Sequence, residues 1–339
     1  MDLYPLLRPI LFSLDPETAH FLTLKSLPLA TRLGLPERVQ PADANTTTEV
    51  MGLEFPNQVG LAAGLDKNGD YIEALGKLGF GFLEVGTVTP RPQPGNPKPR
   101  LFRLKEARAI INRMGFNNKG VDHLVERVRK SRYRGILGIN IGKNFDTPID
   151  QAINDYIQCM RKVYPYAHYI TINVSSPNTQ NLRDLQKNDV MHKLLQALKN
   201  EQAALESQHD KYVPLVVKIA PDLTRDQVLD LADLFTRHQI DGVIATNTTI
   251  SREKVNGQPL ADETGGLSGQ PLFEQSTAIV EILASRLNKQ IPIIAAGGIT
   301  RPEDAIRKIE AGASLVQLYS GLIYEGPGLI PRTVRAISQ

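Results

Sequence analysis

Eight times between Val59 and Gly321 a short apolar run, rich in β-branched residues, breaks off into a polar or glycine-rich cluster. The runs are Val59 to Ala63, Phe82 to Val85, Ile136 to Ile139, Tyr169 to Val174, Leu215 to Ile219, Gly242 to Ala245, Ile291 to Ala296 and Ser314 to Leu318. A strand that is apolar on both faces belongs in a parallel sheet covered on both sides. Segments of helical spacing lie between the runs: Ile153, Ile157, Met160 and Tyr164, for example, and Val228, Leu231, Ala232 and Phe235. Thr224 with Gln227, and Thr300 with Glu303, predict capped helix starts just after the fifth and seventh runs. Eight strand-then-helix units in one α/β chain predict a closed (β/α)8 TIM barrel. The competing open, doubly wound sheet lacks a G-x-G-x-x-G turn after the first strand.

Residues 1–40 read differently. Tyr4, Leu6, Leu7, Ile10, Leu11 and Leu14 crowd one segment, Asp15 and Pro16 mark a helix start, and Phe21, Leu22, Leu24, Leu27 and Leu29 follow. The pattern predicts an N-terminal helical hairpin ahead of a barrel over 41–339. Its apolar surface suits packing on its own domain or contact with membrane or ligand. Two long stretches interrupt the barrel rhythm. Thr87 to Gly120 is Pro-rich and contains a predicted β-hairpin, Arg100–Leu104 with Ala109–Arg113, and Thr248 to Gly269 is a second loop. Loops of such length are usually lids or binding loops.

Thirty-nine basic against 36 acidic residues, without long runs of one sign, give no electrostatic reason to expect nucleic acid. One cysteine excludes an intramolecular disulfide and a cysteine metal cage. No secretory or transit pattern opens the chain, and no run approaches the roughly 20 apolar residues of a membrane span.

The strand ends present Lys67, Thr87, Asn140, Asn173, Ser176, Asn178, Lys218, Thr246 and Asn247. Ser176 and Asn178 lie in a Ser-Ser-Pro-Asn segment that by itself also reads as an ordinary turn. Carboxylates are too few for paired-acid hydrolysis, and no ligand cluster suits a divalent metal. A serine triad lacks its histidine, since His168 lies at the far end of the strand, about 25 Å away. Carboxamides and lysines instead suit a planar ligand with several carbonyl and N–H groups. Gly297-Gly298 and Ser320-Gly321 follow the seventh and eighth strands, where barrels bind phosphate through backbone N–H groups. A heterocycle with a phosphate tail fits flavin mononucleotide (FMN), with Lys218 placed to stabilise charge near flavin N1 and O2. Lys218 as a Schiff-base lysine of an aldolase, a structural ion pair at Lys218, and a non-catalytic phosphate-binding barrel are the alternatives.

Gly60-Leu-Ala-Ala-Gly-Leu-Asp-Lys67, Glu84-Val-Gly-Thr-Val-Thr-Pro-Arg-Pro-Gln-Pro-Gly95, Ile111-Asn-Arg-Met-Gly-Phe-Asn-Asn118, Asn173-Val-Ser-Ser-Pro-Asn-Thr179 and Gly265-Gly-Leu-Ser-Gly269 resemble the class 2 dihydroorotate dehydrogenases. The resemblance covers essentially the whole chain. It implies FMN-dependent oxidation of (S)-dihydroorotate to orotate, with a membrane quinone as electron acceptor, in pyrimidine biosynthesis. By similarity Ser176 is the base that removes the C5 proton, with Thr179 as a relay. Lys67, Asn112, Arg113, Met114, Gly115, Phe116, Asn173, Asn178, Asn247 and Thr248 would hold the substrate. Ala63, Gly64, Leu65, Asp66, Lys67, Thr87, Asn140, Asn173, Lys218, Thr246, Gly269, Gly298, Tyr319 and Ser320 would hold FMN. The hairpin resembles the family's quinone tunnel, with His20, Arg103 and Tyr319 at its polar end. The resemblance further implies peripheral attachment to lipid at the cytoplasmic face of a bacterial-type cell membrane, and no partner protein for catalysis.

Overall fold

The structure, a computed structural model, describes residues 4–34 and 47–339, so the expected boundary at residue 40 lies outside the described residues. The chain begins with α1 (Tyr4–Ser13) and α2 (Pro16–Arg32), the expected hairpin. Asp15 caps α2 by accepting the Thr18 N–H at 2.9 Å, and Pro16 occupies the first helical position. A small antiparallel pair follows, β1 (Thr48–Val50) and β2 (Leu53–Phe55). No period in the sequence announces it. Its Val50 and Phe55 pack on Phe82 and Tyr169 and stopper the N-terminal end of the barrel.

The barrel then runs through β3 (Val59–Leu61), α3 (Ile72–Gly76) and β4 (Phe82–Val88). After β4 the Pro-rich insertion carries β5 (Leu101–Leu104) and β6 (Ala109–Asn112), and α4 (Val121–Lys130) restores the rhythm. Next come β7 (Ile136–Ile141), α5 (Ala152–Val163), β8 (Tyr169–Asn173), α6 (Asn188–His209), β9 (Leu215–Ile219), α7 (Arg225–Arg237) and β10 (Gly242–Ala245). The second long loop carries β11 (Gly266–Gly269), followed by α8 (Phe273–Leu287), β12 (Ile293–Ala296), α9 (Pro302–Glu310), β13 (Leu315–Leu318), α10 (Ser320–Glu325) and α11 (Leu329–Ile337). The eight expected apolar runs pair in parallel and in chain order, and β13 closes on β3 through Leu318 opposite Leu61. Closure leaves no edge strand, and the buried faces of α4 to α9 cover the outside.

Helix starts follow local chemistry. Thr224 and Gln227 form the predicted reciprocal cap of α7. The cap expected from Thr300 and Glu303 is corrected by one residue: Pro302 takes the first helical position, so the third falls on Asp304. Its carboxylate accepts the Thr300 and Arg301 N–H groups, each at 2.9 Å.

The predicted β5–β6 hairpin forms, but it gains a third strand from the other long loop, with β11 pairing along β6 from Gly266 opposite Asn112 to Gly269 opposite Ala109. Phe102, Leu104, Ile111 and Leu267 give this sheet its own small core. The two interruptions are thus one antiparallel roof over the C-terminal end of the barrel. The hairpin docks against that roof: Arg100, almost fully buried, makes two hydrogen bonds to the Glu17 carboxylate at 2.7 and 3.1 Å.

Candidate active site

The strand ends converge on one polar cavity at the barrel mouth, under the roof. Its wall includes Lys67, Thr87, Asn173 and Lys218 from the barrel, Ser176 and Asn178 from the loop after β8, and Thr246, Asn247 and Thr248 from the loop after β10. Asn112, Met114, Gly115 and Phe116 descend from the roof; Ala63, Gly64, Gly269, Gly298, Tyr319 and Ser320 complete the expected set. Four expected residues stand outside the wall. Leu65 faces a second cavity, described below. Asp66 is buried and folds its own loop by accepting the N–H groups of Asn68, Asp70 and Tyr71. Asn140 lies one layer beneath the cavity. The Arg113 side chain turns away to Glu263, at 2.6 Å, and lies over the Phe102 ring.

The floor of the cavity is a single hydrogen-bonded lattice. Thr87 donates to Asn140 Oδ1 at 2.5 Å, and Asn173 Nδ2 donates to Thr87 at 2.9 Å. Asn140 Nδ2 in turn donates to the Glu84 carboxylate at 2.8 Å, which also accepts from Tyr169 at 3.0 Å and Gln317 at 2.8 Å. Every member is buried, so each side-chain orientation is dictated by its neighbours. Glu84 and Gln317 were missed in the sequence because they sit inside strands rather than at their ends. Glu84 carries the same signal in the sequence as Lys218: a charge within an apolar strand is too costly to be incidental.

Lys218 shares this interior. Burial draws its pKa down, partly opposed by the Glu84 carboxylate, and its amine has neither a hydrogen bond nor an ion pair among the described residues. The structural ion-pair reading of Lys218 therefore fails. Gln317 Oε1 is likewise buried without a partner, its Nε2 being held by Glu84. An unpaired ammonium and an unused carbonyl beside one cavity fit a ligand bearing both negative charge and N–H donors. Gly298, with φ of +80°, passes so close to α8 that a Cβ would lie 2.4 Å from the Phe273 Cα, which leaves the loop after β12 with bare backbone toward the cavity. These residues fit the chemistry of the expected flavin cofactor.

Ser176 is buried, and its hydroxyl accepts the Asn178 N–H at 3.2 Å. The neighbouring Ser175 is spoken for: it donates to Asn173 Oδ1 and accepts from Asn247 Nδ2 at 3.0 Å. Arg183 ties this loop to the next, donating to the Ser175 carbonyl at 3.0 Å, the Asp222 carboxylate at 2.8 Å and the Thr248 carbonyl at 2.8 Å. The Thr179 hydroxyl is buried and unpartnered, with no bond to Ser176. Lys67 donates to the Gly64 carbonyl at 2.9 Å, and burial, aided by the Arg100 charge, lowers its pKa to about 8.

A second cavity, about 560 Å³ and mostly apolar, lies between the α1–α2 hairpin and the barrel. Leu7, Leu11, Phe12, Leu24, Leu75 and Leu322 are among its walls. His20, Leu101, Ile110 and Tyr319 line both cavities, so one layer of side chains separates them. Burial, reinforced by the Lys67 charge, lowers the His20 pKa to about 4, so the imidazole is neutral near pH 7. Arg103 lines the second cavity, but it also pins the turn of the hairpin by donating to the Leu11 carbonyl at 3.0 Å.

A family model described as dihydroorotate dehydrogenase matches residues 45–339. A protein of Azoarcus sp. (strain BH72) called dihydroorotate dehydrogenase (quinone) is 60% identical over 334 residues, 98% of each chain. One of the same name from Acinetobacter baylyi is 59% identical over 337 residues, covering 99% of this chain and 100% of that one. Among solved structures, the DHODH of Eimeria tenella in complex with ferulenol is 41% identical with a TM-score of 0.89, covering 95% of this chain and 90% of that one.

Proposed function

The chain belongs to the dihydroorotate dehydrogenase family and is an oxidoreductase; we propose that it oxidises (S)-dihydroorotate to orotate with FMN and a membrane quinone, in pyrimidine biosynthesis. The observation that carries this reading is the unpaired, buried Lys218 amine set among carboxamides and bare glycine backbone at one barrel mouth. Bound there, FMN would supply a two-electron acceptor that takes hydride from C6 of the substrate. Asn112, Asn173, Asn178 and Asn247 offer both donors and acceptors, as a ring with two carbonyls and two N–H groups requires. Lys67 supplies a cation for the substrate carboxylate, and Ser176 receives the C5 proton. The Asn178 N–H aimed at Ser176 Oγ favours the oxygen as its own proton leaves. The unpartnered Thr179 hydroxyl in the same loop supports a relay, and closure by the roof keeps bulk water from the reacting carbon.

The second cavity supports a quinone site. It is apolar, with His20, Arg103 and Tyr319 as polar groups, and shares a wall with the first. α1 has no buried residue; Leu6, Leu7, Ile10, Phe21, Leu22, Leu29 and Leu33 of the hairpin are exposed. An apolar patch of this kind supports docking into one leaflet. No helix among the described residues is long and apolar enough to cross a membrane. The exposed apolar hairpin supports peripheral attachment, and the resemblance implies the cytoplasmic face of the cell membrane.

The deciding experiment is an anaerobic titration of the purified protein with dihydroorotate, followed by a soluble quinone. Loss of the oxidised-flavin absorbance and its return on adding quinone are expected; an unchanged spectrum refutes the reading. Lys218→Ala is expected to be purified with little flavin, and borohydride is expected to trap no adduct on the parent protein. Full flavin occupancy in that variant would remove Lys218 from the flavin site, and a trapped adduct would favour the aldolase. Because the Lys67 ammonium is lost above pH of about 8, KM for dihydroorotate should rise there by about tenfold per pH unit. Lys67→Arg should flatten that rise. A KM unchanged between pH 7 and 9.5 in the parent would detach Lys67 from the substrate carboxylate.

A further inference from the structure

Lys308 is fully buried, lies on α9 outside the cavity wall, and has no carboxylate within ion-pair distance among the described residues. Its ammonium donates to Ser276 Oγ at 2.6 Å and to the Phe273 carbonyl at 3.3 Å, and it sits 4.8 Å from the Phe273 ring centre. Ser276 Oγ lies 3.0 Å from the Gly297 carbonyl and equally 3.0 Å from the Phe273 carbonyl, so its one proton is shared between the two acceptors. The Gly297–Gly298 peptide is trans, so its carbonyl and its N–H point in opposite directions. Holding the carbonyl against Ser276 therefore turns the Gly298 N–H away from Ser276, and both glycines line the cavity.

We propose that Lys308 is a positioning residue for the cofactor phosphate: acting through Ser276, it fixes and polarises the Gly297–Gly298 peptide as a phosphate donor. The inference rests on the FMN reading above. Its physical basis is a buried ammonium with no anion in ion-pair contact: such a charge is unfavourable, and a phosphate on the far side of the glycine loop adds a favourable one. The two glycines cannot be replaced in this arrangement. A Cβ at Gly297 would come within 2.9 Å of Ser276 Oγ, and one at Gly298 would strike Phe273. Burial lowers the Lys308 pKa to about 7; Glu274, Asp304 and Glu281 favour the charged form and Arg307 opposes it. A dianion across the loop adds to the first group.

The test compares flavins with and without a phosphate. Holoenzyme is diluted and the released flavin followed by its fluorescence, for FMN and, after exchange into excess riboflavin, for riboflavin. Lys308→Met, which matches the length of the aliphatic stem and removes the charge, is expected to release FMN at least about tenfold faster and to release riboflavin at the parental rate. Ser276→Ala keeps the ammonium and breaks the relay, and should also accelerate FMN release alone. FMN release unchanged in both variants, or FMN and riboflavin release accelerated alike, overturns the inference. Parent protein that holds the two flavins equally would overturn the phosphate site itself, and the role of Lys308 with it.

Discussion

Ser176→Ala is expected to retain normal flavin content and to reduce its flavin with dihydroorotate about 10²- to 10⁴-fold more slowly than the parent, the usual contribution of a positioned acid–base group. Flavin content should hold because the Ser176 hydroxyl holds up none of the floor. The lattice of Thr87, Asn140, Asn173 and Glu84 is complete without it, and among the described residues the only bond to Ser176 Oγ comes from the Asn178 N–H. Ser175, which does bond to Asn173 and Asn247, provides the contrast. Its replacement should disturb binding as well as rate. Because Ser176 is buried, raising the pH should recover little activity in the alanine variant unless hydroxide enters past the roof. Anaerobic stopped-flow at the flavin band measures the effect, and a parental rate in Ser176→Ala would refute the base assignment.

Removing residues 1–40, and with them α1 and α2, is expected to lower quinone reduction by about a hundredfold or more. Reduction of the flavin by dihydroorotate should change by only a few-fold. Among the described residues, the hairpin forms one side of the second cavity but contributes only His20 to the first. Its loss also strips Glu17 from the buried Arg100, whose guanidinium keeps the Pro94 and Asn96 carbonyls at 2.6 and 2.9 Å. Some loss of thermal stability should therefore accompany the change in acceptor specificity. The two half-reactions, measured separately in the same truncated protein, distinguish a lost quinone site from a damaged barrel. Undiminished quinone turnover would sink the tunnel reading.

The barrel was legible because a parallel strand covered on both faces is apolar along its length, and a closed sheet needs that pattern repeated without an edge. Leu215–Ile219 and Gly242–Ala245 match their expected bounds, and each of the other barrel strands differs at one end by a few residues. The strand-end residues were legible for a related reason. In a barrel of this kind every strand delivers its C-terminal end to the same face, so position along the chain already implies proximity. Asn112, Met114, Gly115 and Phe116 are a different case, because they reach the cavity from an antiparallel insertion. Only the resemblance to a known family nominated them.

What sequence alone determined is the alternation of buried strand and covering helix, and with it which chain ends meet at the barrel mouth. Periodicity and capping are local properties, carried by residues close together in the chain. Tertiary structure decided the rest. It joined two separate loops into one roof through β11 and set Glu84 and Gln317 beneath the cavity. It turned Arg113 outward to Glu263, and it placed Lys308 behind the glycine loop after β12. Each of those outcomes depends on a partner far away in the chain. A buried charge or carboxamide takes its orientation from whatever donor or acceptor lies within about 3 Å, and spacing along the sequence does not encode that distance.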